Sequence, residues 1–213
     1  MGMINQFISY FATNGDYVFG QFVRHFLISV YGVLFASIVA IPIGFFISRR
    51  YKMADIVISL ANILQTIPSL AMVSILMIVM GLGVNTVIMA VFLYSLLPII
   101  KNTYTGVKNV DDNLIDVAKA MGMTKKQIIF KIELPLSISI IMAGVRNALV
   151  MAIGITAIGT FIGAGGLGDI ITRGINVTDG SAIILAGAIP TAFMAVISDF
   201  VLQKIEKVLD PVK

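Results

Sequence analysis

Side chains able to do covalent or metal chemistry are scarce in this chain, and the scarcity excludes whole classes of function. His25 is the single histidine and there is no cysteine. Thiolate catalysis and multi-histidine metal or haem sites are therefore excluded, and no metal site is expected. An intramembrane enzyme needs a placed nucleophile and base. Asp199 is the one acidic residue well inside an apolar stretch, so a catalytic carboxylate pair has no second member. The run Gly163-Ala164-Gly165-Gly166-Leu167-Gly168 satisfies the G-x-G-x-x-G spacing of a dinucleotide turn. That reading requires a preceding strand in a βαβ unit, whereas an apolar helical stretch precedes this one. A flexible or close-packed turn carried by Gly163, Gly165, Gly166 and Gly168 is expected instead. No G-x-x-x-x-G-K-[ST] occurs, so a Walker A phosphate loop is absent from the chain.

What remains is polar side chains set among apolar ones. Gln65, Thr66 and Ser69 cluster around Pro68, with Asn62 three residues before Gln65. Proline removes a backbone hydrogen bond and is expected to kink its helix. Polar groups at membrane depth face protein or a water-filled route. Asn62, Gln65, Thr66, Pro68 and Ser69 are accordingly expected to line a pathway, with packing between helices as the alternative. Arg146 and Asp199 are charged residues within apolar stretches, and an unpaired charge there is expensive. An ion pair between them is expected in preference to contact with a substrate.

The elements that must position these groups follow from composition. Of 213 residues, 58% are hydrophobic and 12% charged, with a mean hydropathy of +1.00. A soluble domain carries about 25% charged residues, so the expected fold is an all-α integral membrane protein. Five apolar stretches, about 26–48, 56–80, 84–100, 136–162 and 183–202, are each long enough to cross a bilayer. The fourth is long for one crossing and is expected to tilt or project. Small residues four apart, such as Gly159 and Gly163, favour close helix packing. His25 falls at the outer edge of the first stretch and is expected to be interfacial.

Lysine and arginine fix an orientation. Arg49, Arg50 and Lys52 follow the first stretch, six lysines lie between the third and fourth, and three occupy the tail. With the N-terminus outside, 12 of the 15 basic residues face the cytoplasm, as the positive-inside rule requires. The net charge of +4 thus has a topological meaning, and no nucleic-acid partner is expected. Residues 1–21 lack a basic start and a long apolar core, so they read as an external segment, either an interfacial helix or a frayed tail. Residues 22–209 then form the membrane domain and 210–213 a cytoplasmic tail.

Between the third and fourth stretches lies a patterned polar interval. Asp111 and Asp112 can cap a helix whose apolar face is Leu114, Val117, Ala118 and Met121. Gly122 supplies a left-handed stop, and Thr124 with Gln127 forms a capping-box pattern that restarts a helix before Pro135. Two short helices around a tight turn make a cytoplasmic knob, suited either to a protein partner or to the lipid surface.

The run from Val117 to Gly122, followed by Ile132-Glu133-Leu134-Pro135, resembles the cytoplasmic signature of ABC-importer permeases, Glu-Ala-Ala, three residues, Gly, nine residues, Ile, one residue, Leu-Pro. The Leu-Pro falls at the family spacing from Gly122, while Val117-Ala118-Lys119 matches the opening loosely and the leading Glu is absent. The segments 65–70, 97–103 and 162–168 are also similar to the small five-span type I permeases, most of all the osmoprotectant branch, with methionine permeases as the near alternative. The resemblance implies a transport subunit, not an enzyme, that carries glycine betaine, carnitine, choline or a related solute across the cell membrane. It implies no cofactor in this chain, with ATP and Mg held by separate cytoplasmic ATPase subunits that grip the knob. Ala118, Ala120, Met121, Gly122, Met123, Thr124 and Gln127 are the coupling residues so implied. A second permease subunit, like or unlike, and an external substrate-binding protein complete the expected assembly. Quaternary ammonium groups favour tryptophan faces, and this chain has no tryptophan, so tight recognition is expected to belong to the binding protein. A membrane anchor without transport is the bland alternative, and it would not need the knob.

Overall fold

A computed structural model of the protein describes residues 2–209, apart from the Tyr51 side chain. The expected tail 210–213 lies outside the described residues. All regular elements among those described are helical. Among the described residues, four helices are long and apolar enough to span a bilayer, or five crossings if a bent pair counts as one.

The first helix, α1, runs from Met3 to Ile47. Forty-five residues would extend about 68 Å if straight, twice the hydrocarbon thickness of about 30 Å. Asn14 departs from helical geometry and kinks it. The expected separate N-terminal segment is thus helical but continuous with the first span. Its residues do not float: Tyr17 donates to Asp169 at 2.5 Å, tying the outer part of α1 to a distant helix.

The second apolar stretch, expected as one span over 56–80, is broken. Helix α2 (Tyr51–Thr66) and α3 (Ser69–Met80) meet at 96°. Pro68 has no N–H to continue the ladder, and Ile67 turns extended. Tyr94 closes the gap by donating its hydroxyl to the freed Ile67 carbonyl, while Gln65 donates back to the Tyr94 carbonyl at 3.0 Å. The bend is thereby hydrogen-bonded to its neighbour, as backbone at membrane depth must be.

That neighbour is α4 (Val84–Lys108), which packs centrally against α1 and α7 (Leu134–Ile158). Gly32, Ala36, Ala40 and Gly44 repeat every fourth residue on α1, and all four are buried. A Cβ at Gly32 would lie 2.3 Å from Val91, and one at Gly44 2.5 Å from Thr103. This small-residue seam lets the two backbones touch.

Two short helices, α5 (Asp112–Ala120) and α6 (Lys125–Ile128), lead through a π turn at Ile129–Glu133 into α7. Pro135 withholds the N–H that the Lys131 carbonyl would accept, and the wider turn absorbs the gap. The whole segment Lys125–Ile162 runs 38 residues, so the long fourth stretch projects beyond one crossing. A 3-10 turn, Gly159–Ile162, ends it. The short α8 (Leu167–Ile175) then precedes α9 (Ser181–Leu209), which packs against α7 and α8.

Candidate functional site

Three groups of residues carry the features that a membrane machine needs. The first is the knob. Asp111 accepts the Asn113 amide at 2.9 Å and caps α5. Gly122 has φ +78°, and the amides of Met123 and Gly122 donate to the carbonyls of Ala118 and Lys119 at 3.0 and 2.9 Å. This is a Schellman stop. Thr124 and Gln127 then exchange hydrogen bonds at 2.7 and 3.4 Å, a complete capping box. The apolar face divides: Ala118 is buried inward, whereas Leu114, Val117 and Met121 are 47%, 58% and 78% exposed. Arg49 at the end of α1 donates to buried Glu133 at 2.6 Å, fastening the knob's root to the first span.

The second group is the polar part of the bent pair. Asn62 and Thr66 are exposed on α2, together with Asp55 and Ser59. The spacing of four, three and four puts all of them on one helical face. Pro68 is exposed and Ser69 half-buried at the bend. Gln65, expected with them, turns inward and holds α2 to α4 instead. The Thr66 hydroxyl donates back to the Ile63 carbonyl at 2.7 Å.

The third is the glycine turn. Gly163, Gly165 and Gly166 all have positive φ, between 73° and 86°. Gly168 is helical, but its Cβ would sit 2.0 Å from the Ala157 carbonyl oxygen, so α8 lies directly on the α7 backbone. The first amides of α8 need outside acceptors, and α1 provides them. Gly166 donates to Gln21 at 2.6 Å, and Leu167 donates to His25 Nδ1 at 3.1 Å. His25 Nε2 donates to the Ile153 carbonyl at 2.8 Å, which fixes the neutral tautomer protonated on Nε2. His25 is fully buried, not interfacial: it bridges three helices.

Arg146 finds the expected partner and a further one. Its guanidinium lies 3.3 Å from Asp199 and 3.5 Å from Glu206, two turns apart on α9. Neither contact is an aligned hydrogen bond, so charge holds the cluster. Arg146→Met is expected to strand two carboxylates at a cost of about 3 kcal/mol and sharply lower the yield of monodisperse protein. Arg146→Lys should restore most of it. A normal yield of Arg146→Met with a changed transport KM would show a substrate contact instead.

A family model described as "Binding-protein-dependent transport system inner membrane component" matches residues 17–211. The chain belongs to that family. It is 62% identical over 213 residues to the carnitine transport permease protein OpuCD of Listeria monocytogenes, covering all of this chain and 96% of that one. It is 60% identical to the glycine betaine/carnitine/choline transport system permease protein OpuCD of Bacillus subtilis, covering all of this chain and 93% of that one. The OpuCB permease of that Bacillus system is 41% identical, over 98% of this chain and 95% of that one. Among solved structures, a permease chain of "Inward facing conformations of the MetNI methionine ABC transporter" superposes with TM-score 0.80 at 19% identity, covering 90% of this chain and 95% of that one. The fold is therefore that of an ABC-importer permease, and the protein is a multi-pass cell-membrane protein.

Several functional candidates escaped the sequence reading. Counting back three residues from Gly122 puts Asp116, Val117 and Ala118 in the place of Glu-Ala-Ala. An acidic residue does occupy the leading position, and it pairs with Lys119 at 2.8 Å. The spacing alone would have shown it. Glu206 was signalled by its seven-residue distance from Asp199. Gln21 had no such signal.

Proposed function

We propose that the chain is the membrane-spanning subunit of an ATP-driven importer that forms the route for glycine betaine, carnitine or choline. The observation that carries this reading is identity of 60% and above, across the full chain, to permeases named for those solutes. The fold likeness to a methionine transporter, at 19% identity, carries no weight for substrate. Residues 22–209 form one permease unit of five crossings, with α2 and α3 as one bent crossing. An odd number sets the termini on opposite sides, and the Lys and Arg of the knob and of the α1 end favour the N-terminus outside. The Arg49–Glu133 bridge supports the same topology, because it brings the basic end of α1 and the knob to one side.

ATP and Mg belong to separate cytoplasmic ATPase subunits, which seat on Leu114, Val117 and Met121. Ala118, Ala120, Gly122, Met123, Thr124 and Gln127 hold that surface in shape. Closure of the ATPases on ATP moves the knob and, through Glu133 and Arg49, the inner ends of α7 and α1. Asp55, Ser59, Asn62 and Thr66, with Ser69 and the Pro68 bend, line the route: a polar stripe on an exposed face of a membrane helix faces water or a second subunit, not lipid. Gln65 holds the bend from behind. One chain cannot enclose a route with a single such face. A second, unlike permease completes it, as the paired OpuCB and OpuCD relatives suggest. The glycine turn meets an external binding protein that supplies tight recognition.

Uptake in cells lacking the gene tests the reading. At high salt, labelled glycine betaine, carnitine or choline uptake is expected to fall to background, while methionine uptake is unchanged. Loss of methionine uptake alone would overturn the substrate assignment and leave the fold standing.

A further inference from the structure

We infer that the groove between the inner end of α1 and the root of the knob is a binding site for an anionic phospholipid. Its cavity of about 660 Å³ has apolar walls that include Phe45, Phe46 and Phe130 and a cationic rim of Arg49, Arg50 and Lys125. The rim carries three positive charges and no carboxylate is among the lining residues; Arg49 is engaged by Glu133 from outside the groove. Arg50 stacks over Phe46 at 4.4 Å and has no carboxylate within ion-pair distance among the described residues. The same holds for Lys125. Two cations beside an apolar cleft thus lack a counter-charge, and a phosphodiester supplies one while its acyl chains cover the phenyl rings.

The position on the membrane agrees. Tyr31, Phe35, Ile38 and Phe46 are large exposed side chains at helical spacing on α1, a face that has no partner within the chain. That face runs to the groove and stops at Arg49 and Arg50, the depth at which acyl chains give way to headgroups. The knob's exposed apolar side chains, Leu114, Val117 and Met121, lie on α5 and its C-cap, whereas the groove is walled by α1, the π turn and Leu134, with Lys125 of α6 on its rim. The proposed ATPase seat and the lipid site are therefore built from different elements. The inference takes from the proposed topology only the leaflet concerned, the cytoplasmic one.

The test is lipid retention by the permease purified together with its partner subunits, titrated with phosphatidylglycerol or phosphatidylcholine and read by native mass spectrometry. Phosphatidylglycerol is expected to bind at one preferred site per chain. Affinity should fall about fivefold for each of Arg50→Gln and Lys125→Gln, and recover in Arg50→Lys and Lys125→Arg, while phosphatidylcholine retention stays constant. Equal retention of both lipids by the unsubstituted protein would overturn the proposal. Unchanged phosphatidylglycerol binding by the doubly substituted protein would do the same, as would full competition by soluble glycerol phosphate, which marks a free-phosphate site. Exclusion of lipid from the assembled complex would show that a subunit covers the groove. Retention is read without transport, so this test and the uptake test fail independently.

Discussion

Replacing Gly168 by alanine is expected to abolish uptake, although the change adds a single methyl group. The added carbon would stand 2.0 Å from the Ala157 carbonyl oxygen and 2.8 Å from its carbon. Both are backbone atoms in the last turn of α7, so α8 must move off α7. Overpacking alone costs about 1–3 kcal/mol. The displacement also draws the Gly166 and Leu167 amides away from Gln21 and His25, and each stranded buried donor costs about 1–3 kcal/mol more. The sum is a large share of the roughly 5–15 kcal/mol that holds a domain folded. Immunoblotting of membranes should show little protein, or detergent-solubilised protein should melt well below the parent. Gly154→Ala is the control: a Cβ there meets nothing within 4 Å, so alanine should be neutral or slightly stabilising. Normal accumulation and uptake by Gly168→Ala would show that α8 is not seated as described.

The same region shows where sequence reading stops. Three closely spaced glycines, Gly163, Gly165 and Gly166, announce a turn, because only glycine takes positive φ cheaply, and the turn is there. Gly168 looks the same in the sequence, yet its reason is different. It is a close approach to a backbone eleven residues earlier, and spacing does not reveal which backbone comes close. His25 is harder still. Its partners lie 128 and 142 residues away, and a lone histidine beside an apolar stretch reads as interfacial. The knob was legible for the opposite reason: its caps, its left-handed glycine and its restart are all contacts within five residues. Hydropathy located the apolar stretches, but Pro68 broke the second rather than merely kinking it. At that bend the Tyr94 hydroxyl donates to the Ile67 carbonyl, a contact between helices that local spacing does not reveal. Polarity alone puts Gln65 on the route; its inward turn meets a carbonyl presented by α4.

Because the knob is held by such local contacts, its outer face can be changed without unfolding it, and this gives the second large effect. Val117→Asp with Met121→Asp is expected to leave the permease in the membrane at normal level and melting temperature. Neither side chain is buried. The Schellman turn uses only backbone atoms of Lys119, Ala118, Gly122 and Met123, and the capping box uses Thr124 and Gln127. What the two aspartates alter is an apolar surface that presents nothing to its own chain. Exposed apolar side chains that cluster on a rigid projection mark a contact surface. Carboxylates placed at the centre of such a contact must be desolvated without a partner. A loss of at least about 2 kcal/mol is expected at a centre of this kind, roughly thirtyfold in affinity. Co-purification of the ATPase subunit with tagged permease should then fail, and uptake with it. Gly122→Val should give the same loss of uptake by a different route. It strains the left-handed turn and rotates α5 against α6, so it should lower stability as well. The two variants separate the shape of the knob from its surface. Full ATPase recovery and uptake by the double aspartate variant would place the docking surface elsewhere on the molecule, and the lipid-surface reading of the knob would gain from that result.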